Sequence, residues 1–516
     1  MPLFAGLDYG TGGAKACVID DEGVVRGYAF AELDLYHTHP GWSEHDASVY
    51  WPLACRLLQQ AIAQTGAPAS DVKGVALSSA MPCLVLVDAQ GEPLARAYNL
   101  MDRRASAQVS SLYDRLGRER VYDSIGNRLE DHPTIVNLMW ETQHRPELLA
   151  RAASALTIDG YITMRLCGAR VIHRSGAGFY GCYNLRQGDW DAELLHQAGV
   201  PAALLPRLCA CTDIVGEVTP AASRATGLAV GTPVAAGQVD CNAGWVGAGA
   251  TRIGDIQSNL GTVGNFGVVH QSTDFVHSDV GRLMINVPYT IADTLVTIPT
   301  TMTGGQSIRY LRDAFGQHEL ALERQGGPTA YDQLNLAASE VPPGSEGLLV
   351  LPYLMGERTP LWDVNARGVL FGLSLNHGKG HLVRAMMEAV AYAMYDSYRL
   401  IQQSGLKVNL PLVLNEGGAV SRLWRQIIAD VFDVPIVLVQ RREGAPFGDA
   451  LLAGVATGHL AGLDTSREWT TYVDPIEPDP ARHRLYQEHF ALYRQLYGHL
   501  KEDFQALAAL RNRYAQ

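Results

Sequence analysis

A carboxylate, a threonine set among glycines and a lysine stand close together in FAGLDYGTGGAKACVIDDEG, residues 4–23. Gly10, Gly12 and Gly13 allow close backbone approach and positive φ, so amide hydrogens around Thr11 can converge on an anion, and Lys15 adds a positive charge. Asp8 closes the apolar run before them and offers oxygen to a hard cation. This is phosphate chemistry. A second Gly-Thr turn, Gly261 and Thr262 in SNLGTVGN, repeats the pattern near the middle of the chain. Either turn alone reads as readily as a tight hairpin. Two of them facing one cleft could grip a triphosphate from both sides.

Two familiar nucleotide motifs are missing. The chain has no G-x-x-x-x-G-K-[ST], and YGTGGAK does not satisfy G-x-G-x-x-G, which removes the P-loop enzymes and disfavours a hydride-transferring dehydrogenase.

The elements that must hold these turns alternate between strand and helix, which predicts an α/β fold. LFAGLDY reads as a buried strand and AKACVID as its hairpin partner, with VKGVALSS and LVLVD as further strands. Helical periodicity covers 49–65, 106–116 and 381–401, and Leu, Phe and Tyr recur at helical spacing over 481–511. The clearest change in composition is the Gly- and Ala-rich stretch 231–255, which with the repeated turn predicts two related halves, 1–247 and 248–516.

Composition narrows the function classes. With 516 residues, 47% of them hydrophobic and 18% charged, the chain reads as an ordinary globular protein of several domains. A net charge of −12 and the lack of a Lys/Arg run argue against nucleic acid as a partner, so anions must be held by local amides and ions. No apolar run is long enough to span a bilayer and no signal-peptide pattern is present, which predicts a cytoplasmic protein without a membrane partner. The eight cysteines form no C-x-x-C pair and read as reduced thiols, with Cys209 and Cys211 of CAC placed in a polar loop.

A strand ending in Asp8, a Gly/Thr turn and Lys15 on the returning strand is the kind of phosphate hairpin seen in the actin, hexokinase and heat-shock ATPase superfamily. GLDYGTGGAKACVID further resembles the opening of the FGGY carbohydrate kinases. The most specific stretch is GVLFGLSLNHGKGHLVRAMME, residues 368–388, where Gly368, Leu370, Gly372, Leu373, His381, Leu382, Ala385 and Glu388 fit the family's C-terminal signature. GWSEHDASVYW, LPYLMGERTPLWD and GGAVSRLWRQIIADVFDVPI are similar to stretches of xylulose kinases and their relatives. HPTIVNLMW fits the N-terminal signature less well, with Asn137 where lysine is usual.

The resemblance implies a two-domain actin-like ATPase (ribonuclease H-like) fold in which each half is a mixed sheet flanked by helices. It implies a sugar held mainly by the first half, ATP with Mg2+ held mainly by the second, and a homodimer as the common assembly. Asp240 of GQVD matches the base that deprotonates the sugar hydroxyl, a task in which aiming the hydroxyl matters more than basicity. Gly10, Thr11, Gly12, Gly13 and Lys15 match the first phosphate hairpin, Gly261 and Thr262 the second, and Asp8 the carboxylate near the metal. Gly305 and Arg309, with Gly418, Ala419 and Arg422, match positions lining ribose and adenine.

The sugar pocket departs from the xylulose kinase pattern. Ala80, Met81 and Pro82 align with its Gln-Met-His stretch, and Pro82 can offer no hydrogen bond in place of the histidine. Cys241 stands where Asn is usual, while Asp102 and Arg103 keep the positions of polar sugar contacts. Leu100 replaces Trp, Val263 replaces Ser in the second hairpin, and Asp449 replaces Ala. These changes leave another ketose or a polyol open as the acceptor beside D-xylulose. A non-catalytic actin-like ATP-binding protein is the rival class, and it would have no need of Asp240 and Asp102 as sugar-facing groups.

Overall fold

The computed structural model describes residues 1–514 and resolves two mixed sheets, one in each half. The first is built from β1 (Leu3–Gly10), β2 (Gly13–Asp20), β3 (Val25–Glu32), β4 (Val72–Ser79), β5 (Ile214–Glu217), β6 (Pro233–Ala235) and β7 (Gln238–Val239). Its spatial order is β5-β6-β4-β1-β2-β3, with β7 also paired to β4. The second contains β8 (Asp255–Leu260), β9 (Gly264–His270), β10 (Ile285–Pro288), β11 (Leu295–Ile298), β12 (Thr300–Thr301), β13 (Asn409–Asn415), β14 (Ile436–Val439) and β15 (Tyr472–Ile476). Its order is β10-β11-β9-β8-β13-β14-β15, with β12 on β9.

The sheets share a plan. An antiparallel hairpin, β1/β2 or β8/β9, is followed by a strand returning parallel to the first, β4 or β13. The repeated Gly-Thr turn of the sequence is thus the hairpin tip of each half. LVLVD behaves differently from its expected place. Only Val85–Val87 is extended, and it pairs with Ser154–Leu156 rather than joining the main sheet.

The period-two alternation of β1 sorts its side chains onto two cores. Leu3, Ala5, Leu7 and Tyr9 pack with Leu53, Ala54, Leu57, Leu58 and Ala61, the apolar stripe of α1 (Tyr50–Thr65). Each buried Leu there contributes about 2 kcal/mol. Phe4 faces the other way, into a core with Phe447, Ala450 and Leu451, and Gly6 and Asp8 share that face by parity.

The helix that brings Phe447, α7 (Ala445–Ala456), lies far along the chain yet covers the first sheet. It crosses the short helix α3 (Asp240–Gly247) in backbone contact, since a Cβ on Gly448 would collide with the Ala243 carbonyl. A division of the chain at 247 therefore separates the sheets and leaves a late helix packed on the early half.

The remaining helices lie close to their expected bounds: α2 is Ser106–Leu116, α5 is Lys379–Gln403 and α8 is Pro480–Tyr514. Between them α4 (Gly305–Phe315) and α6 (Arg422–Phe432) flank the second sheet's hairpin. Within α5, Glu388 is buried, paired with Arg384 at 2.9 Å and bonded to the Gly344 amide and the Ser345 hydroxyl. That signature residue fixes a loop to a helix.

Cys209 and Cys211 are buried, which corrects their placement in a polar loop. Cys209 ends a strand, Arg207–Cys209, paired with Val171–His173, and Cys211 lies 3.4 Å from Ser175 Oγ. No helix among the described residues is long and apolar enough to cross a membrane.

Candidate active site

The first hairpin tip is Thr11–Gly12, framed by the paired Gly10 and Gly13. A Cβ on Gly12 would meet nothing within 4 Å, so the tip of this turn is open on that side. Lys15 stands opposite Asp8 across the hairpin, with Nζ 3.5 Å from Oδ2. Burial pushes the Asp8 carboxyl up, and the ammonium of Lys15 draws it back toward the charged form.

Asp240 begins α3 at the end of β7, and its Oδ1 accepts the Cys241 amide at 2.7 Å. The residue is half-buried, so its second oxygen is not sealed in the interior. Burial, and then the neighbouring Asp8 carboxylate, raise its carboxyl to about 7, which keeps it near the range a general base needs at neutral pH.

The second hairpin carries its own cluster. The Gly305 amide donates to the Gly261 carbonyl at 2.6 Å, and the Gly304 amide to Thr262 at 3.0 Å, which seats the start of α4 on the turn. Gly418 packs so tightly on Leu260 that a Cβ there would clash, and Ala419 is buried beside it. Gly261, Thr262, Gly305, Gly418 and Ala419 are thereby brought to one place. Arg422 heads α6 on the exposed side. Arg309, on α4, is 66% exposed and paired with Asp313.

Glu416 is the residue that sequence reasoning passed over. Its backbone has φ 72° and ψ −172°, a region essentially reserved for glycine, and its carboxylate lies directly over Gly261. Burial raises its carboxyl while Lys15 opposes that shift, so the first hairpin's lysine acts across the cleft on the second hairpin's acid. The same glutamate acts on Asp240. The two hairpins and Asp240 therefore form one electrostatic unit.

The expected sugar contacts separate into two groups. Met81 and Pro82 are buried at the end of β4, joined by a cis peptide, and Cys241 flanks Asp240. Arg103 binds Asp131 at 2.5 Å and His132 at 2.7 Å and lines a cavity of about 890 Å³ between the halves. Asp102 does not face that space, which corrects its reading as a sugar contact. It is fully buried, and its oxygens are taken by the Ser43 amide and by the Arg104 amide and guanidinium at 2.7–3.1 Å. Arg104 is held in turn between the rings of Trp42 and Tyr98, so the pair is a closed internal clamp.

Across the cavity, Arg358 reaches Glu130 of the first half at 2.9 Å. Beside it Glu357 is buried, bonded to the Thr301 hydroxyl and the Met302 and Arg358 amides, and burial raises its carboxyl to about 7. No group of three or more His, Cys, Asp or Glu among the described residues is arranged to hold a metal alone. A divalent ion would fit here only as Mg2+ commonly does, through phosphate oxygens and water with Asp8 as the nearby carboxylate.

Residues 3–247 match the N-terminal domain of the FGGY family of carbohydrate kinases, and residues 260–457 match its C-terminal domain. A xylulose kinase of Staphylococcus epidermidis (strain ATCC 12228 / FDA PCI 1200) is 31% identical over 501 residues, covering 96% of this chain and 97% of that protein. A gluconokinase of Bacillus subtilis (strain 168) is 28% identical over 484 residues, 93% of each chain. The crystal structure of xylulose kinase from Rhodospirillum rubrum superposes with a TM-score of 0.89 at 28% identity, covering 98% of this chain and all of that one. The two-domain actin-like architecture implied by the resemblance is the one this chain shares with that structure.

Proposed function

The chain belongs to the FGGY family of carbohydrate kinases, a phosphotransferase acting on an alcohol group, and from that premise we propose that Asp240 is the base and a ketopentose such as D-xylulose the acceptor. The observation that carries the reading is the placement of Asp240: a half-buried carboxylate at the junction of the halves, in the field of Asp8 and Glu416, with the open Gly12 turn and Lys15 on the same side of the first sheet. Asp240 accepts the proton of the acceptor hydroxyl. The amides of Thr11, Gly12 and Gly13 and the ammonium of Lys15 hold terminal phosphate oxygens, and the Gly261–Thr262 turn holds them from the other half. Mg2+, when bound with ATP, supplies neutralising charge on those oxygens. The xylulose kinase relatives support the ketopentose.

A second reading has its own support. The cavity between the halves presents Arg103, Arg118, Arg128, Arg282 and Arg358, and Arg118 and Arg128 have no carboxylate partner among the described residues. The same cavity presents Glu119, Glu130, Asp131 and Glu357, so Arg118 and Arg128 are the groups left to pair with the carboxylate of an aldonic acid. The gluconokinase relative fits that alternative.

Coupled ADP detection with ketopentoses, ketotetroses, polyols and aldonic acids separates the readings. Asp240→Asn should lower turnover on the accepted substrate by about 10²–10⁴ while leaving the fold intact. Sugar-stimulated ADP release undiminished by that substitution would remove Asp240 from the role.

A further inference from the structure

Asp449 is the one charged residue of α7, in a run whose neighbours Phe447, Ala450, Leu451 and Leu452 are apolar and sealed from solvent. It is itself fully buried. An apolar side chain would suit this face at lower desolvation cost, so the carboxyl must be accounted for by what it touches.

It touches the strands that carry the reacting groups. Lys15, Asp8, Ser78 and Gln238 form a single row across β2, β1, β4 and β7, each paired with the next in register. Asp449 sits over the middle of that row. Its Oδ2 is 2.6 Å from Ser78 Oγ, and its Oδ1 accepts from Gln238 Nε2 at 3.1 Å. Ser78 Oγ is in turn 3.1 Å from Asp8 Oδ1, and Gln238 Oε1 accepts the Thr290 hydroxyl of the second half at 2.7 Å. Gln238 lies two residues before Asp240 on the same short strand and turn.

Ser78 has one hydroxyl hydrogen for two carboxyl oxygens. Both contacts are satisfied once one of the two carboxyls carries a proton, and the Lys15 ammonium beside Asp8 keeps that proton on Asp449, leaving the Ser78 hydrogen to point at Asp8. The order of donation is then Asp449 to Ser78 to Asp8.

We propose that Asp449 is a positioning residue for phosphoryl transfer, fixing the Asp8 carboxylate through Ser78 and the segment bearing Asp240 through Gln238. The inference rests on the kinase reading above and names how that site is held. The apolar residues of α7 lay the helix on the first sheet, and Asp449 uses that placement to reach both strands.

Asparagine can replace each contact, donating Nδ2–H to Ser78 and accepting from Gln238, whereas alanine abandons both partners in a dry interior. In the full-length chain, Asp449→Asn should keep kcat within about threefold of the native enzyme. Asp449→Ala should lower kcat about 10- to 100-fold, with KM for the acceptor nearly unchanged, because the lost element is aim rather than affinity. Crystal structures of both variants give a readout that needs no turnover. The alanine variant should show Ser78 and Gln238 rotated and the Asp8 and Asp240 carboxylates displaced, and the asparagine variant should superpose on the native chain. Native kcat in the alanine variant, equal damage in the two variants, or unmoved carboxylates in the alanine crystal would each overturn the proposal. If no acceptor is phosphorylated by the native chain, the kinase reading fails by itself, and the crystal structures still decide the role of Asp449.

Discussion

Lys15 and Asp8 face one another across the first hairpin at 3.5 Å, and the lysine side chain is 36% exposed. The pair does two things at once. It holds Asp8 toward its charged form against burial, and it leaves the remaining ammonium hydrogens free for an anion. Lys15→Met should therefore raise KM for ATP by about 10- to 100-fold, the loss of one charge-assisted contact of about 2 kcal/mol. Lys15→Arg should restore only part of that loss, because a planar fork does not reproduce a compact charge at this position. Steady-state ATP titrations on the accepted sugar measure both.

The backbone of Glu416 stores strain. Glutamate at φ 72° and ψ −172° costs about 1–3 kcal/mol relative to a residue without a Cβ. Glu416→Gly should thus raise the unfolding free energy by about that amount. Removing an acid from above Gly261 should also lower KM for ATP. Urea unfolding and ATP titration test the two effects separately, and a less stable glycine variant would show that the side chain's contacts outweigh its backbone cost.

His270 makes stability depend on pH. It is buried on β9, its Nδ1 accepts the Ser272 amide at 3.1 Å, and its Nε2 pairs with the Thr297 hydroxyl at 3.0 Å, so the neutral ring donates from Nε2. Burial lowers its pKa from 6.5 to about 4. The unfolded chain then binds a proton that the folded chain refuses between these values, so stability is full above pH 6.5 and falls as pH drops toward 4. The contribution is about 3 kcal/mol. Urea midpoints across this range should fall more steeply for the native chain than for His270→Asn.

At the crossing of α3 and α7 the sign of a common substitution is reversed. Gly to Ala inside a helix normally stabilises by about 1 kcal/mol. Gly448→Ala should instead destabilise by about 1–3 kcal/mol, because its methyl meets the Ala243 carbonyl and forces the helices apart. Thermal unfolding midpoints give the direction directly.

The readable parts of this molecule are local ones. Gly-Thr turns between apolar runs specify hairpins through neighbours alone, and the alternation of β1 already tells which of its residues share a face with Asp8. The start of α7 was visible only as GAPFGDALLA, and the partner of Asp449 on β4 lies 371 residues away. Nothing short-range in the sequence announces that contact. Asp102 was misread for a related reason: an Asp-Arg-Arg run looks solvated or functional until Trp42 and Tyr98, from other segments, enclose Arg104. Glu416 was missed because residue type does not reveal a backbone angle. The reading of Asp240 as the base comes from resemblance to a family rather than from its spacing.

Two helices that touch backbone to backbone can swivel but cannot slide. α3 begins at Asp240, one turn before Ala243, so any substitution that widens the crossing also shifts the segment carrying that carboxylate.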